Sequence, residues 1–310
     1  MKIFRNIEEA QGLNNPVVTI GTFDGVHLGH RAVFDVMKQE AQKINGETVV
    51  ITFYPHPRIV LGTRQNEDLK FINTQEKKIK LIEEAGIDNL IIIEFTKSFA
   101  KNSSETFLKD YIVKYVKPKM IIIGHDHHFG RNRHGSFEVL VKTGHALGFD
   151  VKKVDPLIVD GITVSSTVIR NLLKDGKIKE ANKLLGYEYS ITGEVVHGNG
   201  IGKTIGYPTA NIEVSNEYKL ITANGVYACR VEYNENLYGG MGNIGYRPTI
   251  NDDKLTIEVN IFDFNRDIYG EVITIRFVDR LRNEVKFDSL EALKRQLEKD
   301  RQKALEILNR

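Results

Sequence analysis

Between residues 21 and 30 the chain reads Gly21-Thr22-Phe23-Asp24-Gly25-Val26-His27-Leu28-Gly29-His30. A β-branched run, Val17 to Phe23, leads into it, and a helical pattern follows at once over 29–44. Glycines let a backbone approach a ligand closely, and a helix N-terminus offers unpaired N–H groups and a partial positive charge to an anion. His27 and His30, three apart on the first turn, share one face and can donate hydrogen bonds to phosphate oxygens. The implied chemistry is a phosphate cradle without a lysine. Two histidines that merely cap a helix start are the plainer reading of a bare HxGH, but the strand before and the helix after favour the cradle.

A second set of residues lies further on, in Gly202-Lys203-Thr204-Ile205-Gly206-Tyr207-Pro208-Thr209-Ala210-Asn211. Gly-Lys-Thr suggests a P-loop, yet that motif needs glycine at position 197, which is His197, and a strand-to-helix setting that is lacking here. Thr209 and Asn211, two apart in an extended segment, face one side and supply neutral oxygens of the kind magnesium takes beside water and phosphate. An ordinary turn bonded by Thr and Asn is the alternative. Glu258 alternates with Leu255, Ile257, Val259 and Ile261, so it points away from the apolar face; taken alone, it reads as a solvated strand carboxylate. His125, His127, His128 and His134 raise the question of zinc, but neither a four-ligand spacing nor an i, i+4 pair with a glutamate is present.

Two kinds of scaffold must position these groups. Up to about residue 186, strands at 17–23, 48–54, 90–95, 120–124 and 151–156 alternate with helical patterns at 29–44, 75–86, 104–116 and 136–147. That alternation predicts a mostly parallel sheet covered by helices on both faces, with ligands at the carboxyl ends of its strands. A helical segment, 165–185, broken at Asp175-Gly176, joins the halves. Beyond it, strands at 191–196, 225–233, 255–262 and 271–278 follow one another without helices. With turns assigned to Gly198, Gly200, Gly202, Gly239, Gly240, Gly242 and Gly245, they predict a small antiparallel barrel. A terminal helix over 289–308 closes the chain, with Asp288 and Glu291 at capping-box spacing.

The whole-chain numbers agree with a two-domain enzyme-sized protein: 310 residues, 41% apolar and 27% charged. With 43 Lys+Arg against 41 Asp+Glu, the net charge of +2 speaks against bulk attraction to nucleic acid or membrane. One cysteine, Cys229 in an alternating strand, excludes an intrachain disulfide framework. The first residues lack a signal-peptide apolar region, and no run approaches the roughly 20 residues of a membrane span, so a cytoplasmic protein is expected.

Gly21 to His30 resembles the GxFDGxHxGH signature of nucleotidyltransferases, in particular the adenylyltransferase half of prokaryotic bifunctional riboflavin kinase/FMN adenylyltransferases. Phe53-Tyr54-Pro55-His56-Pro57 is similar to that family's FxPHP turn, and Ser165-Ser166-Thr167-Val168-Ile169-Arg170 to its SSTxIR motif. Gly124 to Gly130, continued by Arg131, Arg133 and Gly135, resembles its GxDFxFG block, with His127 and His128 as departures. The later blocks, Gly193 to Ile212, Gly225 to Ala228, Asn243 to Thr249 and Asp267 to Gly270, resemble its riboflavin kinase domain, with Tyr246 where Thr is commoner.

The resemblance implies an α/β plus all-β protein: a Rossmann-like nucleotidyltransferase domain over 1–186 and an antiparallel β-barrel riboflavin kinase domain with a terminal helix over 187–310. In the first, Gly21, Phe23, Asp24, Gly25, Gly29, Asp126, Ser166, Thr167 and Arg170 would bind ATP, and Pro55, His56 and Pro57 the flavin. His27 and His30 would carry the catalysis there. In the second, Gly202, Lys203, Gly206, Tyr207, Pro208, Thr209 and Asn211 would bind ATP, Thr209 and Asn211 would hold Mg2+, Arg282 would meet the flavin, and Glu258 would be the base. Riboflavin, FMN and ATP are the implied partners. A monofunctional FAD synthetase with a non-catalytic flavin-binding barrel and a flavin-sensing protein are the alternatives. An RNA-binding barrel is weaker, because no aromatic and basic stacking strip is evident.

Overall fold

A computed structural model describes residues 1–62, 69–125, 137–198, 201–248 and 253–309. Its backbone divides into two compact units, Met1–Ser166 and Thr167–Arg310.

In the first unit the described strands are β1 (Lys2–Phe4), β2 (Val17–Ile20), β3 (Thr48–Tyr54), β4 (Asn89–Glu94), β5 (Met120–Ile123) and β6 (Asp150–Lys153). They make one sheet in the order β1-β4-β3-β2-β5-β6, with every pairing parallel. The helices are α1 (Leu28–Lys43), α2 (Pro57–Leu61), α3 (Gln75–Glu84), α4 (Ser104–Phe107), which runs on as a π-helical turn over Leu108–Val116, and α5 (Phe137–Leu147). A hairpin of β7 (Ile158–Val159) and β8 (Ile162–Thr163) follows. Val49, Val50 and Ile51 are fully buried, as expected of parallel strands covered on both faces, where no position can be given to water. Helix α1 buries Val33, Phe34, Met37 and Ala41 along one stripe. Strand order reverses at β2, which lies between β3 and β5, so the segment after β2 sits at the switch point where such sheets leave a ligand crevice.

The second unit begins with α6 and α7. Helix α6 (Ser166–Lys174) and α7 (Ile178–Leu185) pack against the barrel: Thr222 Oγ1 donates to the Leu173 carbonyl at 2.7 Å, and Asn182 Nδ2 to the Phe277 carbonyl at 2.8 Å. Packing therefore divides the chain after Ser166, some way before the expected functional boundary at 186. The barrel strands are β9 (Ser190–Val196), β10 (Ala210–Glu213), β11 (Gly225–Tyr233), β12 (Asn236–Pro248), β13 (Asp253–Ile261) and β14 (Val272–Arg282), with the short α8 (Ile201–Thr204) between the first two. They close in the order β10-β13-β12-β11-β14-β9, each pairing antiparallel and β9 returning to β10. Cys229 lies in β11, buried, and burial pushes its thiol pKa up.

The reading of Gly239, Gly240, Gly242 and Gly245 as turn residues is corrected: all four lie inside β12. Their purpose is close approach. A Cβ on Gly240 would come within 2.9 Å of the Asn260 carbonyl, and one on Gly239 within 3.3 Å of Leu308 from the terminal helix. That helix, α9 (Leu290–Leu308), is capped by Ser289, whose Oγ accepts from Ala292 N at 3.1 Å, so the expected cap at Asp288 moves by one residue.

Helix α9 is tied to β14 by a nearly enclosed ion pair. Asp300 is 3% exposed and accepts Arg282 Nε at 3.1 and 2.9 Å on its two oxygens, with Arg282 Nη2 at 2.8 Å and Gln296 Nε2 at 2.9 Å. Arg282 Nη1 donates to the Asn283 carbonyl at 2.9 Å. No helix among the described residues is long and apolar enough to cross a membrane. Removing one partner of a buried pair strands the other, so Asp300→Ala should destabilise the second unit by about 3 kcal/mol, read by denaturant unfolding.

Candidate active sites

The first candidate site grows from the turn after β2. Phe23, Gly25 and Val26 all take positive φ, at 48°, 89° and 39°. For a β-branched residue such as Val26 this is strained, a cost that proteins usually confine to functional turns. Glycines make room for rings: a Cβ on Gly21 would lie 2.9 Å from the Phe23 ring, and one on Gly29 3.2 Å from the His27 imidazole. His27 is the N-cap of α1, its Nδ1 accepting from His30 N at 3.3 Å. A neutral His27 then carries its proton on Nε2, as a donor. With the His30 and Arg31 N–H groups bonded to the His27 carbonyl, those of Leu28 and Gly29 are left for a ligand among the described residues.

His30 stacks on His27, ring centroids 3.6 Å apart, and meets the edge of Phe23 at 5.2 Å. Its Nδ1 is closed off from solvent with no hydrogen-bond partner among the described residues. Burial first, then His27 and Lys78, hold its pKa well below the ordinary 6.5. At neutral pH His30 therefore offers hydrogen bonds rather than charge.

Asp24, buried, is a clamp: Oδ1 accepts from Ile72 N at 2.9 Å and Asn73 N at 3.3 Å, fixing the lead-in to α3, while its carbonyl accepts Ser166 Oγ at 2.8 Å. Ser166 is thereby brought to the cradle. Thr167 and Arg170 open the second unit, where Arg170 Nη2 donates to Thr167 Oγ1 at 3.3 Å. His56 caps α2 through Nδ1, at 3.1 Å from Arg58 N, with Pro57 at the helix start and Pro55 following a cis peptide bond. The His56 ring packs on Phe71, centroids 4.2 Å apart. Asp126, with the block to Arg133 and Gly135, lies outside the described residues.

The second candidate site is set by barrel register. Asn211 of β10 pairs with Glu258 of β13, and Glu258 pairs on its other side with Asn243 of β12. Thr209 Oγ1 donates to Glu258 Oε2 at 3.3 Å. Gly202 and Gly198 close the space beside them: a Cβ on Gly202 would meet Thr209 Oγ1 at 3.5 Å, and one on Gly198 would overlap the Asn211 amide. Tyr207 OH donates to Glu298 at 2.6 Å, and Asn260 Nδ2 holds the Pro208 carbonyl at 2.7 Å, so the Tyr207-Pro208 step is fixed from β13 and α9. Lys203 and Gly206 sit on α8 and the turn that ends it, Gly206 at φ 84°. Arg282 is engaged by Asp300, as described.

Residues 9–168 match the FAD synthetase family and residues 185–308 the riboflavin kinase family. A bifunctional riboflavin kinase/FMN adenylyltransferase of Buchnera aphidicola subsp. Acyrthosiphon pisum is 40% identical over 304 residues, covering 97% of this chain and 96% of its own. The protein of that name in Listeria monocytogenes serovar 1/2a is 40% identical over 93% of this chain and 91% of its own. The chain belongs to the bifunctional riboflavin kinase/FMN adenylyltransferase family.

A crystal structure described as a macrolide-efflux protein from Streptococcus pneumoniae superposes with a TM-score of 0.88 at 34% identity over 97% of each chain. It supports the fold of both halves of this family member. Efflux, the activity in that description, has no counterpart among the features of either site.

Two groups at these sites escaped the reading of the sequence. Asn243 entered only as the first residue of the Asn243 to Thr249 block, with no role of its own, and only the register of β12 brings it beside Glu258. Lys78, in a run of helix lysines, is 5% exposed and electrostatically coupled to both Asp24 and His30. Because the folded state holds His30 deprotonated, the unfolded chain binds the extra proton as pH falls from about 6.5 towards the lowered folded value. Stability of the first unit should therefore fall over that window, and His30→Asn should flatten the share due to this residue, measured by thermal unfolding across pH.

Proposed function

We propose that this chain makes FMN from riboflavin and FAD from FMN, consuming ATP in each reaction, at two separate sites. Residues 187–310 carry the kinase and residues 1–186 the adenylyltransferase, and the protein works in the cytoplasm. The observation that carries the reading is the pairing of Glu258 with Asn211 across adjacent strands, with Thr209 bonded to the same carboxylate. A carboxylate in register with Asn211 and bonded by Thr209 supports a base there, and the helix start capped by His27 in the other unit supports a phosphate cradle.

In the kinase half, Glu258 accepts the proton of the riboflavin 5'-hydroxyl as that oxygen attacks the γ-phosphate of ATP and displaces ADP. Thr209 and Asn211 fit Mg2+, since both provide hard neutral oxygens next to a carboxylate, and a bound ion would neutralise charge on the transferring phosphoryl group. Gly202, Lys203, Gly206, Tyr207 and Pro208 shape the ATP side, and Arg282 borders the flavin. In the adenylyltransferase half the nucleophile is the FMN phosphate, already ionised, which attacks the α-phosphate and displaces pyrophosphate. No base is needed. His27 and His30 donate hydrogen bonds to phosphate oxygens, with Gly21, Phe23, Asp24, Gly25 and Gly29 forming the cradle. Ser166, Thr167, Arg170 and Asp126 complete ATP binding, and Pro55, His56 and Pro57 receive the flavin.

His27→Asn, which keeps a capping oxygen, should lower FAD formation about 100-fold and leave FMN formation intact; Glu258→Ala should do the reverse. Chromatographic separation of products from riboflavin, ATP and magnesium reads both, and loss of both activities in either folded variant refutes separate sites. Asn211→Ala should raise the Mg2+ concentration that half-saturates FMN formation about tenfold, leaving that of FAD formation unchanged.

A further inference from the structure

His30 is held neutral at the cradle, yet adenylyl transfer gathers the charge of a triphosphate and a flavin phosphate at one place. Lys78 stands where a cation is wanted. It lies one turn into α3, a helix held to the cradle by the bonds from Ile72 N and Asn73 N to Asp24, and capped by Thr74, which accepts from Lys77 N at 3.4 Å. Although a lysine on a helix ordinarily extends into solvent, only 5% of Lys78 is exposed. Among the described residues its ammonium makes no hydrogen bond and no ion pair, while its charge is felt by Asp24 and by His30.

A buried cation without a hydrogen-bonded partner is costly and is retained where an anion arrives. Two further polar atoms of this region are also closed off and unpartnered among the described residues: His30 Nδ1, and Nε2 of Gln75, three residues before Lys78 on the same helix. On the reading of this site as the adenylyltransferase centre, we infer that Lys78 is a further phosphate-binding residue, supplying positive charge beside the imidazoles of His27 and His30. Asp24 then has a double task, clamping α3 in place and steadying the ammonium until substrate comes.

Burial brings the pKa of Lys78 down to about 8, against the pull of Asp24. The titratable groups facing it are Asp24 and His30, with His27 stacked behind. The free enzyme thus loses the cation as pH rises through about 8, whereas bound phosphate holds the proton on. The signature is a decline in kcat/KM for ATP in FAD formation above about pH 8 with a smaller decline in kcat.

The test measures FAD formation from FMN and ATP between about pH 6.5 and 9.5 for the full chain, Lys78→Met, Lys78→Arg and His27→Asn, with riboflavin phosphorylation as the internal reference. Lys78→Met should lower kcat/KM for FAD formation about 100-fold with the kinase unchanged. Lys78→Arg should keep most of the activity and lose the alkaline decline, since a guanidinium stays charged. A Lys78→Met enzyme within about threefold of wild type, or the same decline in Lys78→Arg, overturns the assignment. If His27→Asn abolishes FAD formation while Lys78→Met does not, only the role of Lys78 falls; if His27→Asn is also without effect, the site itself has been misplaced.

Discussion

The first unit depends on what a buried carboxylate demands. Asp24 cannot stay charged in the interior unless donors and a cation surround it. It meets this demand with two backbone N–H groups from the entry to α3 and with the nearby ammonium of Lys78, while its own carbonyl takes the hydroxyl of Ser166. One residue therefore fixes the place of α3, the end of the unit and the turn that precedes α1. The strain at Phe23 and Val26 is tolerable because the residue between them is anchored on both its side chain and its backbone.

Barrel closure plays the corresponding part in the second unit. In a closed antiparallel sheet each strand's register is fixed by both neighbours, and a slip of one residue would turn every side chain to the opposite face. Glu258 is registered against Asn211 on one side and Asn243 on the other, so its surroundings are set without any loop having to hold it. The interior alternates with this outer face: Ile257 and Val259 are buried at 5% and 0%, and Glu258 between them is half-exposed. The Arg282–Asp300 pair and the glycines of β12 then allow α9 to lie close on the barrel wall.

How much of this was legible follows from which signals are local. Strands β3 and β11 were read at their observed limits because β-branched runs and alternation are written residue by residue. The α1 cradle was legible for the same reason, as strand, glycines, histidines and helix succeed one another within ten residues. Strand β12 was not, since glycine carries no pattern, and its meaning lies in the close approach of Asn260 and Leu308, which are distant in the chain. Lys78 was hidden by company: Lys77, Lys78 and Lys80 look alike in sequence, and only the docking of α3 buries the middle one. The expected division at 186 followed a change in periodicity, but α6 and α7 keep helical periodicity while bonding to the barrel through Leu173 and Asn182.

A net charge of +2 leaves a chain with substrates as anionic as ATP and FMN little long-range field to work with. Local geometry takes over: N–H groups at a helix start, the neutral imidazole of His30 and one sheltered ammonium are short-range devices that screening by salt hardly touches. Neutral donors also discriminate better than a broad basic surface, because a hydrogen bond requires direction and an attraction between charges does not. The same economy is visible in the barrel, where Thr209 and Asn211 carry oxygens without charge and Glu258 accepts from the first and is registered against the second. If a metal ion joins them there, it brings the positive charge together with the nucleotide, and leaves no unbalanced cation behind when product departs.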